Sequence, residues 1–385
     1  MKTQELNILL ICKSLPWRFK GGIQTHTWHL ARTLVSKGHS VSILSGGFFR
    51  KPELRYIREG VQLIEIPFFP GRYIKPISML AEEFSFNFKV KKWINKNHEQ
   101  YNVIHAQGRS GYLLYTNKDI YPKLINTVHG LANIESSSKK PFQFNSIIHS
   151  KITQYLERKM LAASKFSIAV SHDLKNALML NANSKNIEVI PNGVKNLASR
   201  LTSYSKVEDK FLFIGRLHPV KGLLPLIQTI TKVDAQIQLD IVGDGPQRKE
   251  LARFIQKNGL TDRVHLLGEK SESEIQQLLP TYRALVLPSF YETQGIVLLE
   301  ANSLQVPVIA SDLTAIRESI SHGFNGLLCD PNSPIEFIEA MQYILDHKEE
   351  AKNMGIDGQN RVNKDFSWDR ITDHTIASYQ QLALS

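Results

Sequence analysis

The sequence predicts an α/β chain built from two doubly wound parallel sheets. Three observations lead there. Short apolar runs rich in β-branched residues alternate with longer segments of helical period along almost all of the 385 residues. Charge is divided unevenly: residues 1–200 carry 29 Lys and Arg against 12 Asp and Glu, whereas residues 201–385 carry 18 against 24. A turn signal, Pro191-Asn192-Gly193, precedes a polar stretch at residues 195–209 that suits a linker.

In the first half the predicted strands are residues 8–12, 41–45, 61–66, 103–106, 124–128, 166–170 and 187–190. Helices are predicted at 23–36, 78–95, 147–162 and 172–180. The second half repeats the scheme, with strands at 211–214, 238–242, 264–267, 284–287, 308–310 and 327–329. Its helices are expected at 223–231, 247–257, 274–279, 296–303, 315–321 and 335–347. Phe366, Trp368, Ile371, Ile376 and Tyr379 give the end of the chain one apolar helical face. The domains are thus 1–195 and 196–365, with a C-terminal helix at 366–385. Open α/β sheets bind ligands beyond the carboxyl ends of their strands, and two such sheets facing one another would form a cleft.

Composition narrows the function. Apolar residues at 42% and charged residues at 22% are those of a globular protein. No apolar run reaches bilayer length, and the run at 8–12 is too short for a signal-peptide core. Cys12 and Cys329 lie far apart in strand-like runs, which supports neither a disulfide framework nor a zinc site, so a cytoplasmic location is expected. The basic first half fits an anionic partner such as a membrane surface or a phosphorylated substrate; scattered solubilising lysines would give the same balance.

Three motifs sit where strands end. Gly21-Gly22 follows the first strand and opens a helix, where backbone amides and the helix dipole suit an anion. It matches neither the dinucleotide fingerprint nor a Walker A loop, and alone such a pair is usually a turn. In Phe211-Leu-Phe-Ile-Gly215-Arg216-Leu-His-Pro-Val-Lys221-Gly222 a buried strand runs into a loop with two cations. Arg offers a planar fork and Lys a mobile point charge, a combination suited to a diphosphate gaining charge as it leaves. Two solvated loop cations are the plainer alternative. In Pro288-Ser-Phe-Tyr-Glu292-Thr-Gln-Gly295-Ile-Val-Leu-Leu-Glu300-Ala, one carboxylate lies in the loop and another inside the apolar run of the next helix. Burying that second carboxylate without a partner is costly, unless it faces solvent.

These motifs together resemble glycosyltransferase family 4, retaining enzymes of GT-B fold. The resemblance rests on Glu292-x7-Glu300 with Gly295 between, and on Gly215-Arg216-x4-Lys221-Gly222. Leu239-Asp-Ile-Val-Gly243-Asp-Gly245-Pro246, Val264-His-Leu-Leu-Gly268, Val306-Pro-Val-Ile-Ala-Ser311 and Asn325-Gly-Leu-Leu support it. In the first half Gly21-Gly22, Val103-Ile-His105-Ala, Thr127-Val-His129-Gly130 and Val189-Ile-Pro-Asn192-Gly193-Val match in order, so the resemblance covers essentially the whole chain.

The resemblance implies a transferase that moves a sugar from a nucleotide diphosphate sugar to an acceptor hydroxyl with retention, in polysaccharide or glycolipid synthesis. Arg216 and Lys221 are expected on the donor diphosphate, Glu300 on the ribose and Glu292 on the sugar. Amides around Gln294 and Gly295 are expected near phosphate, with Gly22 approaching it from the other domain. His129 is expected at the reacting centre by the resemblance, whereas the residues alone favour a strand-end histidine bonded to backbone. Gly243 counts among the donor-binding positions, and residues 264–268, including Leu267, are expected to hold the base through main-chain groups. The last helix is expected to cross back onto the first domain. Many relatives carry Glu-Gly-Phe-Gly where this chain reads Glu292-Thr293-Gln294-Gly295, so the donor sugar does not carry over.

No Asp-x-Asp pair is present, and no metal cofactor is expected. A UDP-sugar is favoured over a GDP-sugar as co-substrate, with a carbohydrate or lipid-linked acceptor and no nucleic acid; nothing in the sequence sets the oligomeric state. Arg72, Lys75, Lys89, Lys91, Lys92 and Lys96, interleaved with Phe84, Phe86, Phe88 and Trp93, suggest contact with an anionic membrane, placing the protein at the inner face of the plasma membrane. Two other functions fit less of the sequence: a sugar-nucleotide epimerase or hydrolase of the same fold, and a non-catalytic basic scaffold.

Overall fold

The run Asn7–Ile11 is apolar on both sides of its pleat, as a strand covered on both faces requires. In the computed structural model, which describes residues 5–19, 21–71, 78–130, 144–182, 186–195, 207–233 and 237–384, this run is β1, near the middle of an eight-stranded sheet. Ile8 and Leu10 enter one buried cluster, Leu9 and Ile11 another on the opposite face. The chain divides into two units: 1–192 with 368–385, and 193–367.

The first unit runs β1, α1 (Gly22–Ser36), β2 (Ser40–Gly47), β3 (Leu54–Arg58), β4 (Val61–Pro67), α2 (Ser78–Asn97), β5 (Val103–Gln107) and β6 (Leu124–Val128). It continues with α3 (Phe144–Ala163), β7 (Phe166–Ala169), α4 (His172–Ala182) and β8 (Ile187–Val189). Strand order is β3-β4-β2-β1-β5-β6-β7-β8, parallel except for the β3–β4 pair. Strand order reverses beside β1, between β2 and β5, which makes the carboxyl ends of β1 and β5 a switch point. The antiparallel β3 is an addition to the parallel sheet that the sequence reading does not include. It is an exposed edge strand whose LRYIR sequence lacks a buried face, so no apolar pattern announces it.

The second unit contains β9 (Glu208–Ile214), α5 (Leu223–Ile230), β10 (Leu239–Val242), α6 (Arg248–Lys257), β11 (Val264–Gly268), α7 (Glu272–Leu278), β12 (Tyr282–Leu287) and α8 (Ile296–Ser303). Then come β13 (Val308–Ser311), α9 (Thr314–Arg317), β14 (Gly326–Cys329), α10 (Pro334–Asp346) and α11 (Lys348–Asp365). Its six strands are ordered β11-β10-β9-β12-β13-β14, all parallel, the doubly wound order with its switch point at β9 and β12. One continuous core fills it, from Phe211 and Phe213 on β9 to Phe337 and Met341 on α10.

The last helix, α12 (Trp368–Leu384), belongs to the first unit: Trp368, Ile371, Ile376 and Tyr379 pack into the cluster that covers one face of its sheet. Phe366, expected within that helix, precedes it and packs with Val194 and Leu299 of the second unit. Most of the expected linker lies outside the described residues, and its end at Glu208-Asp209 is already strand β9. Cys12 and Cys329 are free and buried. Among the described residues no helix is long and apolar enough to cross a membrane. Arg72 and Lys75 lie outside the described residues. On α2, Phe86 and Trp93 are buried, while Phe84 (37% exposed) and Phe88 (59%) share an outward face with Lys89, Lys92 and Lys96.

Candidate functional site

In the second unit, β9 and β12 end side by side, and the loops leaving them are joined main chain to main chain. Phe290 N–H donates to the Val220 carbonyl at 2.8 Å. Gly222, at φ 67°, ends a 3-10 turn (Pro219–Lys221) and starts α5; a Cβ there would stand 1.9 Å from the Pro288 carbonyl oxygen. Only glycine tolerates both the left-handed backbone and that approach. Gly243, after β10, has φ 133°, and a Cβ there would lie 2.0 Å from the Gly215 carbonyl oxygen. Gly215 N–H in turn donates to Val242 and Gly243 N–H to Gly268. Four strand ends thus hold one backbone framework.

Two of the predicted charges meet on it. Lys221 Nζ lies 2.6 Å from Glu292 Oε1, with the two side chains 22% and 12% exposed, and Ser289 Oγ donates to the same oxygen at 2.8 Å. Arg216 is exposed at the end of β9. Gln294 is buried, and Gly295 at φ 71° starts α8 with no side-chain cap, so the first-turn amides present the positive end of the helix dipole. Glu300, a little over one turn along α8, is partly buried by surface area and closely surrounded by protein. Burial pushes its carboxyl up to about 7, with Glu272 raising it further and Lys195 opposing. Lys195 itself pairs with Glu272 at 2.6 Å. Leu267 lies on β11, the edge strand, which leaves main-chain groups on one side outside the ladder.

Gly22 and His129 belong to the first unit. Gly22 is the exposed first residue of α1, and the cap before it, Gly21, has an extended backbone that any residue adopts. His129 follows β6 directly. Its Nε2 lies 2.9 Å from Gln107 Oε1, and its ring stands edge-on to His26 with centroids 4.9 Å apart. Burial holds His129 well below the usual imidazole range and His26 down to about 3, so both rings are neutral near pH 7. Gln107, His26 and Ser289 were not singled out from sequence. Gln107 was within reach of the reasoning, because it lies two residues past His105 and therefore on the same face of β5. Among the described residues no cluster of His, Cys, Asp or Glu suits a metal ion.

Comparison with known proteins finds similarity to glycosyltransferases along both units. The family model for glycosyl transferases group 1 matches residues 202–361, and that for glycosyltransferase family 4 matches residues 20–195. An uncharacterised glycosyltransferase of Methanocaldococcus jannaschii is 29% identical over 377 residues, spanning 97% of this chain and 98% of the relative. Sucrose-phosphate synthase from Thermosynechococcus elongatus shares the fold with a TM-score of 0.82 at 21% identity, over 99% of this chain and 100% of that one. An Anabaena protein solved in complex with UDP and glucose gives a TM-score of 0.73 at 18% identity, over 98% and 100%. Two parallel α/β units and these likenesses define a glycosyltransferase of GT-B fold. The chain belongs to glycosyltransferase family 4.

Proposed function

We propose that this chain transfers a hexose or hexose derivative from a UDP-sugar to a hydroxyl of a carbohydrate or lipid-linked acceptor, retaining the anomeric configuration and needing no divalent metal. The observation that carries this reading is the framework at the β9–β12 switch point, which gathers Lys221, Glu292 and the uncapped start of α8 around one place. A nucleotide-sugar donor is supported by one Anabaena neighbour solved with UDP, with UDP and glucose, and with UDP-glucose, and by a starch synthase neighbour solved with ADP; UDP is the nucleotide proposed.

In this reaction the bond from the anomeric carbon to the diphosphate oxygen breaks, and the leaving UDP gains negative charge. Arg216, Lys221 and the α8 amides around Gln294 and Gly295 stabilise that charge without a metal ion. Glu300 accepts hydrogen bonds from the ribose hydroxyls, and main-chain groups of residues 264–268, with Leu267, and Gly243 receive the nucleoside. Glu292 contacts the sugar as positive charge develops on it. Gly22 serves the phosphates, and His129 the reacting centre. The acceptor hydroxyl forms the new bond on the face that the diphosphate leaves, and its proton passes to the departing phosphate oxygen. The protein supplies positioning and fixed charge.

The test is a titration with UDP, GDP and ADP monitored by thermal unfolding, then NMR of the product from an α-linked UDP-sugar after exhaustive EDTA treatment. Expected are stabilisation by UDP above the others and an acceptor-dependent α-linked product. Free sugar or an epimerised donor in place of that product would favour the hydrolase or epimerase reading.

A further inference from the structure

Buried side chains of the first unit form one hydrogen-bonded chain from the C-terminal helix to His129. Tyr379 Oη on α12 lies 2.6 Å from His105 Nδ1. His105 Nε2 lies 2.7 Å from Thr127 Oγ1 and 3.2 Å from Gln107 Nε2, and Gln107 Oε1 lies 2.9 Å from His129 Nε2. Strand geometry explains the gathering. His105 and Gln107 alternate onto one face of β5, Thr127 is the register partner of Gln107 on β6, and Tyr379 is fully buried against that sheet.

With the Gln107 amide oriented as it stands, carbonyl oxygen toward His129 and NH2 toward His105, the donors and acceptors run in one direction. An amide NH2 only donates, so His105 Nε2, which faces Gln107 Nε2, must accept. A neutral imidazole with an accepting Nε2 carries its proton on Nδ1, and that N–H donates to Tyr379 Oη. The Thr127 hydroxyl, the nearer of the two at 2.7 Å, donates to the same lone pair and shares it with the amide. The Gln107 carbonyl oxygen only accepts, so His129 donates from Nε2. Burial pushes His105 down to about 3 and holds His129 well below its usual range, so neither ring takes a second proton near neutrality.

We propose that Tyr379 is a positioning residue for the transfer: through His105 and Gln107 it fixes which ring nitrogen of His129 carries the proton. This rests on the reading that places His129 at the reacting centre, and adds what sets the state of that ring. Without the tyrosine hydroxyl, His105 Nδ1–H would be a buried donor with no acceptor, a costly condition. The ring regains partners by carrying its proton on Nε2 instead, donating to Thr127 Oγ1 and to a Gln107 amide rotated by half a turn. The rotated amide then offers its NH2 to His129 Nε2, and the His129 proton moves to Nδ1.

The experiment uses the full chain with histidine labelled with nitrogen-15 in the ring, because long-range proton–nitrogen correlations distinguish the two tautomers. His129 signals are assigned with a His129→Asn variant. Expected is Nε2–H at His129 in the wild type and Nδ1–H in Tyr379→Phe. The same variant should lose roughly 10- to 100-fold in kcat with the donor KM within about threefold of wild type, the pattern of a misplaced group rather than lost binding. In a Gln107→Met background, Tyr379→Phe should no longer move the His129 signals. An unchanged Nε2–H at His129 in Tyr379→Phe overturns the proposal. Should that variant not fold, Gln107→Met alone decides, since persistence of the wild-type His129 pattern without the amide overturns it equally. Undiminished kcat in His129→Ala would remove His129 from the reaction, and with it the catalytic half of the proposal, whereas the tautomer measurement is read independently of activity.

Discussion

Lys221 and Glu292, 71 positions apart in sequence, share an ion pair of 2.6 Å, so two charges that the proposed reaction uses separately neutralise each other in the protein. Glu292→Gln should release the lysine for the diphosphate. For a pair mostly but not wholly shielded, UDP should bind about 2- to 5-fold tighter, while kcat falls by more than about tenfold because the sugar loses its carboxylate. Calorimetric titration with UDP and steady-state kinetics check both signs. Weaker UDP binding in Glu292→Gln would mean that the pair positions Lys221 for the phosphate instead of restraining it.

The raised Glu300 carboxyl makes stability depend on pH and, on the proposed ribose role, donor binding as well. Its carboxyl is raised to about 7 by burial, so the folded protein holds this proton more tightly than the unfolded chain. The associated stability is therefore full below the ordinary carboxylate range and is lost as pH rises toward 7. Glu300→Gln should flatten that part of the Tm-against-pH curve between pH 4.5 and pH 7. Donor binding runs the other way, because the ribose needs the ionised form, so UDP affinity should rise with pH through about 7. A wild-type UDP affinity that does not change across this window would sink the ribose assignment.

On the proposed ribose role, removing the Glu300 side chain takes away hydrogen bonds to a charged group, worth about 1.5–3 kcal/mol. Glu300→Ala should accordingly raise the donor KM roughly 10- to 150-fold, with kcat much less affected, since ribose contacts are equal in ground and transition states. A loss in kcat with unaltered nucleotide binding would reverse the roles given to the two glutamates.

The backbone framework predicts an asymmetry between two glycines of similar conformation. Gly222 and Gly259 have φ of 67° and 64°, but a Cβ at Gly222 meets the Pro288 carbonyl oxygen, whereas one at Gly259 has nothing within 4 Å. Gly259→Ala should cost about 1–2 kcal/mol for the left-handed backbone alone, and Gly222→Ala distinctly more. Urea unfolding of both variants measures the difference, and equal losses would show that the loops part easily.

The outward face of α2 carries Phe84 and Phe88 beside Lys89, Lys92 and Lys96. Binding to vesicles of anionic lipid at low salt should exceed binding to neutral vesicles and fall as salt rises. Reversing Lys89, Lys92 and Lys96 to Glu should abolish the excess. Equal recovery on both vesicle types would end the membrane hypothesis.

Most of the parallel strands were legible because they are buried on both faces, so runs such as residues 8–11 and 284–287 stand out as apolar, even though β8 and β11 are partly exposed. What escaped notice lacks that pattern. Strand β3 is exposed on both sides, and α11 was missed because Lys348–Asp365 is mostly polar and carries Gly355 and Gly358, poor helix formers, in its interior. Of the candidate site, Arg216, Lys221, Glu292 and Glu300 stand out in the sequence because charges at strand ends, or within an apolar helical run, contrast with their surroundings. Ser289, Gln107 and His26 do not, because their part depends on partners 3, 22 and 103 positions away that only the fold identifies. The Lys221–Glu292 contact belongs to the same group.

The main-chain joints among the loops after β9, β10, β11 and β12 also bear on how such a site diversifies. Carbonyl and amide groups are the same in every residue, so a frame built from them is blind to which sugar it serves. Changes at Gly222 or Gly243 break the frame itself, whereas Thr293, partly exposed, hangs from it as a replaceable part and Gln294, buried, tolerates replacement by side chains of similar size. A library confined to these two positions should therefore yield mostly folded variants with altered donor choice, and one that includes the glycines should yield mostly insoluble chains.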